Sequence, residues 1–446
     1  MLPLSAGAQP ARSEETLRIL TGLVQIDTSN PPGDEIKAAR YIKEILDREG
    51  IASEIVESAP GRASLIARLK GSGARKPLML MGHIDVVGVE RSKWTVDPFA
   101  ATVKDGYLYG RGSSDDKAMD AANLAVFLEL HRNKTPLDRD VILLAEAGEE
   151  GTSQYGIDYL VASHWDKIAS EYALNEGGMF HLAGGKVQYA GVETTEKVPR
   201  GLRLVAHGTS GHGSMPRLDN AVTHLGAAVG KVGAWQAPMR LNETTREFFA
   251  RLATISPPEE ASLYTRLEDP AVQAKLRATS ILYNSMLRTS VVPTIIKGGF
   301  RENVIPAEAE ATLDVRALPD EDVDRLLATL SGLIDDPAVQ VSRLTEGQQR
   351  PLAPPSGIHN EMFAALERAQ KRVFPEAITL PLMQTGATDG AQLRAKGVQV
   401  YGIGVPMDDE DLHRIHGNDE RVSVDGLGRF TDYLYAVVTD VAGARK

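Results

Sequence analysis

The sequence predicts an α/β fold in which a mixed central sheet flanked by helices is interrupted by a smaller α+β domain. Three observations predict it. Short apolar runs recur in the first two hundred residues, and each ends in polar side chains: residues 78–87 carry His83 and Asp85, residues 140–145 precede Glu146, Glu149 and Glu150, and residues 172–174 precede Asn175 and Glu176. Buried strands of open α/β sheets read this way, with their binding groups at the carboxyl edge. Amphipathic or alanine-rich segments alternate with these runs. From about Arg200 the pattern changes to strict alternation, as in an antiparallel sheet with one solvated face.

The elements follow in order. Residues 14–26 and 34–48 read as amphipathic helices, separated by an SNPPG turn whose prolines and glycine stop the first and let the second begin. Residues 53–57 and 64–69 are short and largely alternating, hence strands. After the strand that carries His83, residues 94–109 contain the turn signals Asp97-Pro98 and Asp105-Gly106 and read as a hairpin. It leads into GRGSSDDK at 110–117, whose glycines allow tight turns. Asp115 and Asp116 also read simply as acidic residues at the amino end of a helix over 117–134. At the end of the strand over 140–145, three acids within five positions are costly if buried without partners, although an isolated Glu-Glu pair reads equally as solvated.

Beyond residue 200 come a strand over 201–207, a GTSGHGSMP turn with His212, a helix over 220–232 and a helix-rich polar stretch over 240–290. An alternating strand over 303–316, a helix over 320–334 and a strand over 339–344 complete the α+β pattern. A proline-rich link at 350–355 returns the chain to a helix over 360–373, the loop QTGATDG at 384–390, a further helix, a strand over 398–405, His413 and His416, and a last helix from Asp425. The domains expected are therefore 14–198 with 348–446, and 199–347.

A chain of 446 residues is long for one core. It has no cysteine, which excludes disulfides, thiol catalysis and Cys-type zinc sites, so any metal must be held by His, Asp and Glu. A formal net charge of -11 with no long basic run argues against nucleic acid or an anionic membrane as partner. No apolar stretch approaches the ~20 residues that span a bilayer. Residues 1–12 are mostly small and apolar, and Ala6-Gly7-Ala8 reads either as the cleavage end of a secretory signal or as part of a disordered cytosolic terminus. Cytoplasmic and periplasmic or secreted locations both stay open.

His83, Asp115, Glu149, Glu150, Glu176 and His416 form a set of nitrogen and oxygen donors placed mostly at strand ends. Each has a bland reading taken alone. His83 reads as a satisfied loop histidine, His212 as a solvated one, Arg316 as the partner of Asp314, and His413 competes with His416 three residues later.

The order of motifs is more specific than any one of them. HID at His83, GRGSSDDK at Gly110, the pair at Glu149, NEGG at Asn175, GHGS at Gly211, NVIP at Asn303 with Arg316 beyond it, and HGNDE at His416 follow one another over nearly the whole chain. In that order the chain resembles the dinuclear zinc peptidases typified by aminoacylase, carboxypeptidase G, carboxypeptidase S, carnosinase and succinyl-diaminopimelate desuccinylase. The resemblance implies a zinc-exopeptidase-like catalytic domain interrupted by a lid or dimerisation domain, and two Zn2+ ions for which Co2+ or Mn2+ can substitute. His83 and Glu176 then match ligands of one zinc, Glu150 and His416 ligands of the other, and Asp115 the carboxylate that bridges both, with a cis peptide to Asp116. Asp85 matches the carboxylate behind His83 that orients its ring. Glu149 matches the general base that takes a proton from the attacking water. His212 matches a histidine that reaches the site from a partner subunit and stabilises the oxyanion, which makes the expected assembly a homodimer. Asn303 and Arg316 match positions that hold the substrate, the guanidinium being suited to a free carboxylate. Gly386 and Thr388 match a substrate-binding turn in which Ala387 stands where a second glycine is frequent.

The activity implied is hydrolysis of an amide or peptide bond next to a free carboxylate, by a carboxypeptidase-like enzyme or an N-acyl-amino-acid deacylase, on small peptides or N-acyl amino acids. Glu176, rather than Asp, is similar to the acylase and carboxypeptidase branch, and the insertion over 240–290 is similar to that of carboxypeptidase S relatives. The alternatives are a dipeptidase of the same family and an inactive, metal-stabilised binding protein. Glu149 argues against the latter, because a structural metal site has no need of an uncoordinated base.

Overall fold

The computed structural model describes residues 11–344 and 350–445, so the terminal segment around Ala6-Gly7-Ala8 and the expected boundary at 347/348 lie outside the described residues. The chain divides into two compact units. One comprises the described residues up to Thr194, Ser356–Leu382 and the residues from Thr388 onward; the other comprises Thr195–Pro355 and Met383–Ala387.

In the first unit, strands β1 (Ser53–Ala59), β2 (Arg62–Leu69), β3 (Leu78–His83), β4 (Val141–Glu146) and β5 (Tyr172–Asn175) build a mixed sheet in the order β1-β2-β4-β3-β5. It continues through Gln399–Gly402, Lys186–Glu196, Met179–Ala183 and Pro406–Met407. β3 runs parallel to both β4 and β5, whereas β2 is antiparallel to β4. The apolar runs are strands because they are buried on both faces and the pleat sends alternate residues to opposite cores. Leu78 and Leu80 join Val141 and Leu143 under helices α1 (Arg12–Val24), α2 (Ile36–Arg48) and α3 (Lys117–Arg132). Met79 and Met81 join Ile142 and Leu144 in the core on the opposite face. His83 has the parity of Met79 and Met81, and it lies level with Glu146 at the strand end.

In the second unit β6 (Leu202–His207), β7 (Ser290–Gly298), β8 (Glu308–Ala317) and β9 (Val339–Arg343) form an antiparallel sheet in which β8 lies between β6 and β7, and β6 also pairs with β9. Helices Ala221–Ala234 and Val323–Ile334 pack on one face, around Leu204, Leu225, Leu313 and Leu330. The stretch over 240–290 becomes the helices Glu243–Ile255, Pro258–Tyr264, Pro270–Thr279 and Ile281–Met286, with Phe248, Phe249, Tyr264 and Tyr283 packed edge to face.

Three differences from the sequence reading are instructive. The strand expected over 303–316 is two, Val304–Ile305 and β8, separated at Pro306, which has no N–H to give to a ladder. β7 lies between the helix-rich stretch expected over 240–290 and the strand expected from 303, where the sequence reading placed no element. The hairpin of Met179–Ala183 and Lys186–Glu196, turned on Gly184 and Gly185 at positive φ, extends the sheet beyond the strands that sequence periodicity marks.

Candidate functional site

β3 delivers His83 to the sheet edge almost fully buried. Its Nδ1 lies 3.0 Å from the backbone carbonyl of Asp85, which sets the ring and turns Nε2 outward. Nε2 lies 3.1 Å from Asp115 Oδ1 and 3.9 Å from Glu176 Oε2. The other oxygen of Asp115, Oδ2, lies 3.1 Å from His416 Nε2, which is also 3.0 Å from Glu150 Oε1. Two donor groups result, His83 with Asp115 and Glu176, and Asp115 with Glu150 and His416, each with its ligand atoms mutually within 4.8 Å. Asp115 belongs to both. A cis peptide joins Asp115 to Asp116.

His416, like His413, is exposed, and it takes a left-handed φ of 59°, which is uncommon for a non-glycine residue. What sets its competitor His413 apart is that its Nδ1 is engaged with the Asp409 carbonyl of its own short helix. The geometry thus brings together five residues named as ligands and leaves His413 aside.

Asp85 is arranged differently from the simple orienting carboxylate expected. The histidine bonds its carbonyl, and its Oδ1 is 3.5 Å from His83 Nδ1. The carboxylate instead collects the turn after β4: Oδ1 accepts the N–H groups of Gly148 (3.0 Å) and Glu149 (3.2 Å), and Oδ2 that of Glu150 (3.2 Å). Asn30 Nδ2 completes the set at 2.8 Å from Oδ2. Burial pushes the Asp85 carboxyl up, but these donors and His83 outweigh it and hold the group below its ordinary value. Sequence reasoning saw Asn30 only as part of a helix-stopping turn. Its role needs the parallel pairing of Ser29–Asn30 with Val86–Val87, which no local pattern announces.

The electrostatics favour cations. Burial and the neighbouring Glu149 push the Glu176 carboxyl well above its usual range, and burial raises Glu150 and Asp116 as well. The Asp115 and Glu150 carboxylates push the His416 imidazole up to about 10. So many acids around two imidazoles are hard to keep charged unless positive charge offsets them. An all-oxygen and imidazole donor set of this size suits two divalent ions of the zinc, cobalt or manganese type.

The remaining candidates are placed as follows. Thr388, in the first unit, is buried, and its hydroxyl accepts the Gly390 N–H at 3.0 Å. His212, Asn303, Arg316 and Gly386 belong to the second unit. There, His212 pairs with Val304 and the Gly213 N–H donates to the Asn303 carbonyl at 2.9 Å, so His212 and Asn303 become neighbours. Ser214 N–H donates to His212 Nδ1 at 3.1 Å, which leaves the ring proton of a neutral imidazole on Nε2. Arg316 Nε pairs with Asp314 at 3.1 Å, the contact that was the alternative to substrate binding.

Comparison with known proteins gives the chain a family and a fold. The family model described as peptidase family M20/M25/M40 matches residues 79–440. Human N-fatty-acyl-amino acid synthase/hydrolase PM20D1 is 28% identical over 438 residues, covering 94% of this chain and 86% of that protein. The probable carboxypeptidase S-like 2 of Dictyostelium discoideum is 28% identical over 393 residues, covering 84% of this chain and 74% of its own length. Among solved structures, the M20 family metallo-carboxypeptidase Sso-CP2 from Sulfolobus solfataricus superposes with a TM-score of 0.72 at 19% identity, over 95% of this chain and 98% of that one. Human carnosine dipeptidase 1 does so at 0.65 and 19% identity, over 96% of both chains.

Proposed function

This chain belongs to peptidase family M20/M25/M40, and from that premise we propose that it is a hydrolase of amide bonds adjacent to a free carboxylate, acting with two zinc ions on N-acyl amino acids or small peptides. The observation that carries the reading is the pair of three-donor groups sharing Asp115, with Glu149 directly before the donor Glu150. When bound, a metal pair supplies Lewis acidity that makes water a nucleophile near neutral pH and polarises the scissile carbonyl. His83 and Glu176 would hold one ion, Glu150 and His416 the other, and Asp115 both.

The chain's own groups do the rest. Glu149, held by its N–H on Asp85 while its neighbour binds metal, takes a proton from the attacking water on its carboxylate and passes it to the leaving nitrogen. In the dimer proposed below, the His212 of each copy presents Nε2–H to the oxyanion developing in the other copy's site. Arg316 exchanges its Asp314 contact for the substrate carboxylate, and Asn303 beside His212 holds the acyl side, with Gly386 and Thr388 shaping the turn. The names of the two relatives given above, an N-fatty-acyl-amino acid synthase/hydrolase and a probable carboxypeptidase S-like protein, support this reading.

The test is hydrolysis of N-acyl amino acids and dipeptides, each beside its carboxyl-amidated analogue. Free acids should be cleaved and amides should not, and Arg316→Gln should erase that preference, mainly through KM, by the roughly 1.5–3 kcal/mol typical of a charged hydrogen bond. Equal cleavage of acids and amides by the wild type would sink the carboxylate requirement. Preference for dipeptides with a free amino group would shift the reading to a dipeptidase.

The second unit acts in this proposal as the dimerisation domain. β7 pairs on one side with β8, and Val292, Ile295 and Ile296 on it are half to mostly exposed, an apolar edge of the kind that a second copy covers. Ile296→Lys is expected to give a monomer by sedimentation, with the metal content unchanged and hydrolysis lost because His212 no longer reaches the partner's site. A fully active wild-type monomer would contradict this assembly.

A further inference from the structure

The donors of the second metal group come from loops three hundred residues apart, and one buried carboxylate joins them. Glu420, the last residue of HGNDE, is completely buried. Its Oε1 accepts from Ser114 N–H (2.9 Å), Asp115 N–H (3.1 Å) and Ser114 Oγ–H (3.0 Å). Its Oε2 accepts from Gly112 N–H (3.1 Å) and Arg111 Nη1 (2.6 Å). The backbone closes the same junction, with Gly110 N–H donating to the Glu420 carbonyl at 2.9 Å and Arg111 Nη2 to that of Gly417 at 2.7 Å.

The loop around Glu420 is shaped for this contact. Gly112 holds a φ of 80°, and a Cβ there would meet Val86 Cγ1 at 2.6 Å, so the turn that aims successive N–H groups at one carboxylate tolerates only glycine. The Arg111 guanidinium balances the charge, so neither ion is buried alone. A carboxylate with five donors is a fixed point, and Asp115 hangs from it through its own N–H. His416 lies four residues before Glu420 on the same loop.

We propose that Glu420 is a positioning residue that sets the spacing between Asp115 and His416, and so assembles the second metal group. The inference rests on the two-metal reading above. The first group keeps His83 and Glu176, which stand on and just beyond the rigid strands β3 and β5. The second depends on the Glu420 junction for two of its three donors.

The experiment is zinc titration of Glu420→Gln and Glu420→Asp against a competing chelator, with zinc counted per chain and the unfolding temperature of the metal-free proteins measured alongside. The amide keeps the shape of Glu420 but turns one acceptor into a donor facing N–H groups. Expected are two zinc ions per wild-type chain, one per Glu420→Gln chain at free zinc levels that still fill the first site, and a second-site affinity lower by roughly 10–100-fold, the usual cost of losing an outer partner. The metal-free unfolding temperature of Glu420→Gln should fall, because Arg111 is left buried without its counter-charge, but the zinc loss should stay confined to the second site, and Glu420→Asp, which keeps the charge, should recover part of that site. Equal weakening of both sites, or two tightly held ions in Glu420→Gln, would overturn the inference. So would a loss of both ions together that merely tracks the fall in metal-free stability. A wild-type chain that holds fewer than two ions would instead defeat the two-metal reading itself.

Discussion

Glu149→Gln should lower kcat by about 10² to 10⁴-fold, the range that a positioned general base contributes, while both metals stay bound. The substitution removes the basic oxygen but not the element that places it. The turn from Gly148 to Glu150 is anchored through backbone N–H groups on Asp85, and none of those three bonds involves the Glu149 side chain. Stability and metal content should therefore match the wild type. Steady-state kinetics with metal analysis of the same preparation checks this, and a metal-replete variant that retains full activity would remove Glu149 from the mechanism.

Asp115→Asn should have the opposite profile, losing metal first and activity as a consequence. Asp115 is the member common to both donor groups among the described residues, with one oxygen toward His83 and the other toward His416. An amide cannot present two anionic oxygens, so both affinities should fall by more than the roughly 10–100-fold typical of an outer-shell change. The acids that two cations offset would be left facing one another. Burial already pushes Glu176 and Glu150 up, so the depleted site should take up protons. The same coupling predicts that wild-type zinc affinity falls as pH is lowered. Asp115 and Glu150 favour the protonated His416, and metal must displace that proton. Calorimetric titration in buffers of different ionisation enthalpy measures the protons released. Pairwise retention of both metals by Asp115→Asn would refute the shared-ligand arrangement.

Much of the architecture was legible in the chain because burial imposes local periodicity. The runs before His83, Glu146 and Asn175 are apolar on both faces and became three neighbouring strands. The 3.6-residue pattern of residues 34–48 became α2, within two residues at its start. Elements without such a signature were missed. β7 carries Val292, Ile295 and Ile296 outward and shows no inward stripe, and the hairpin after Asn175 is tied to the sheet by partners far along the chain.

Which residue types stand at the strand ends, and in what order, can be read from the chain alone, because donor chemistry and strand period are local properties. Without cysteine it had already confined metal binding to His, Asp and Glu. Which donors meet depends on the folded arrangement. His416 rather than His413 faces Asp115, because a left-handed turn aims one ring at the site and a helix carbonyl engages the other. Likewise Asp85 and Glu420 became the anchors of two donor loops, since a buried carboxylate must gather its hydrogen-bond donors from whatever backbone the fold brings past it, at any distance along the chain.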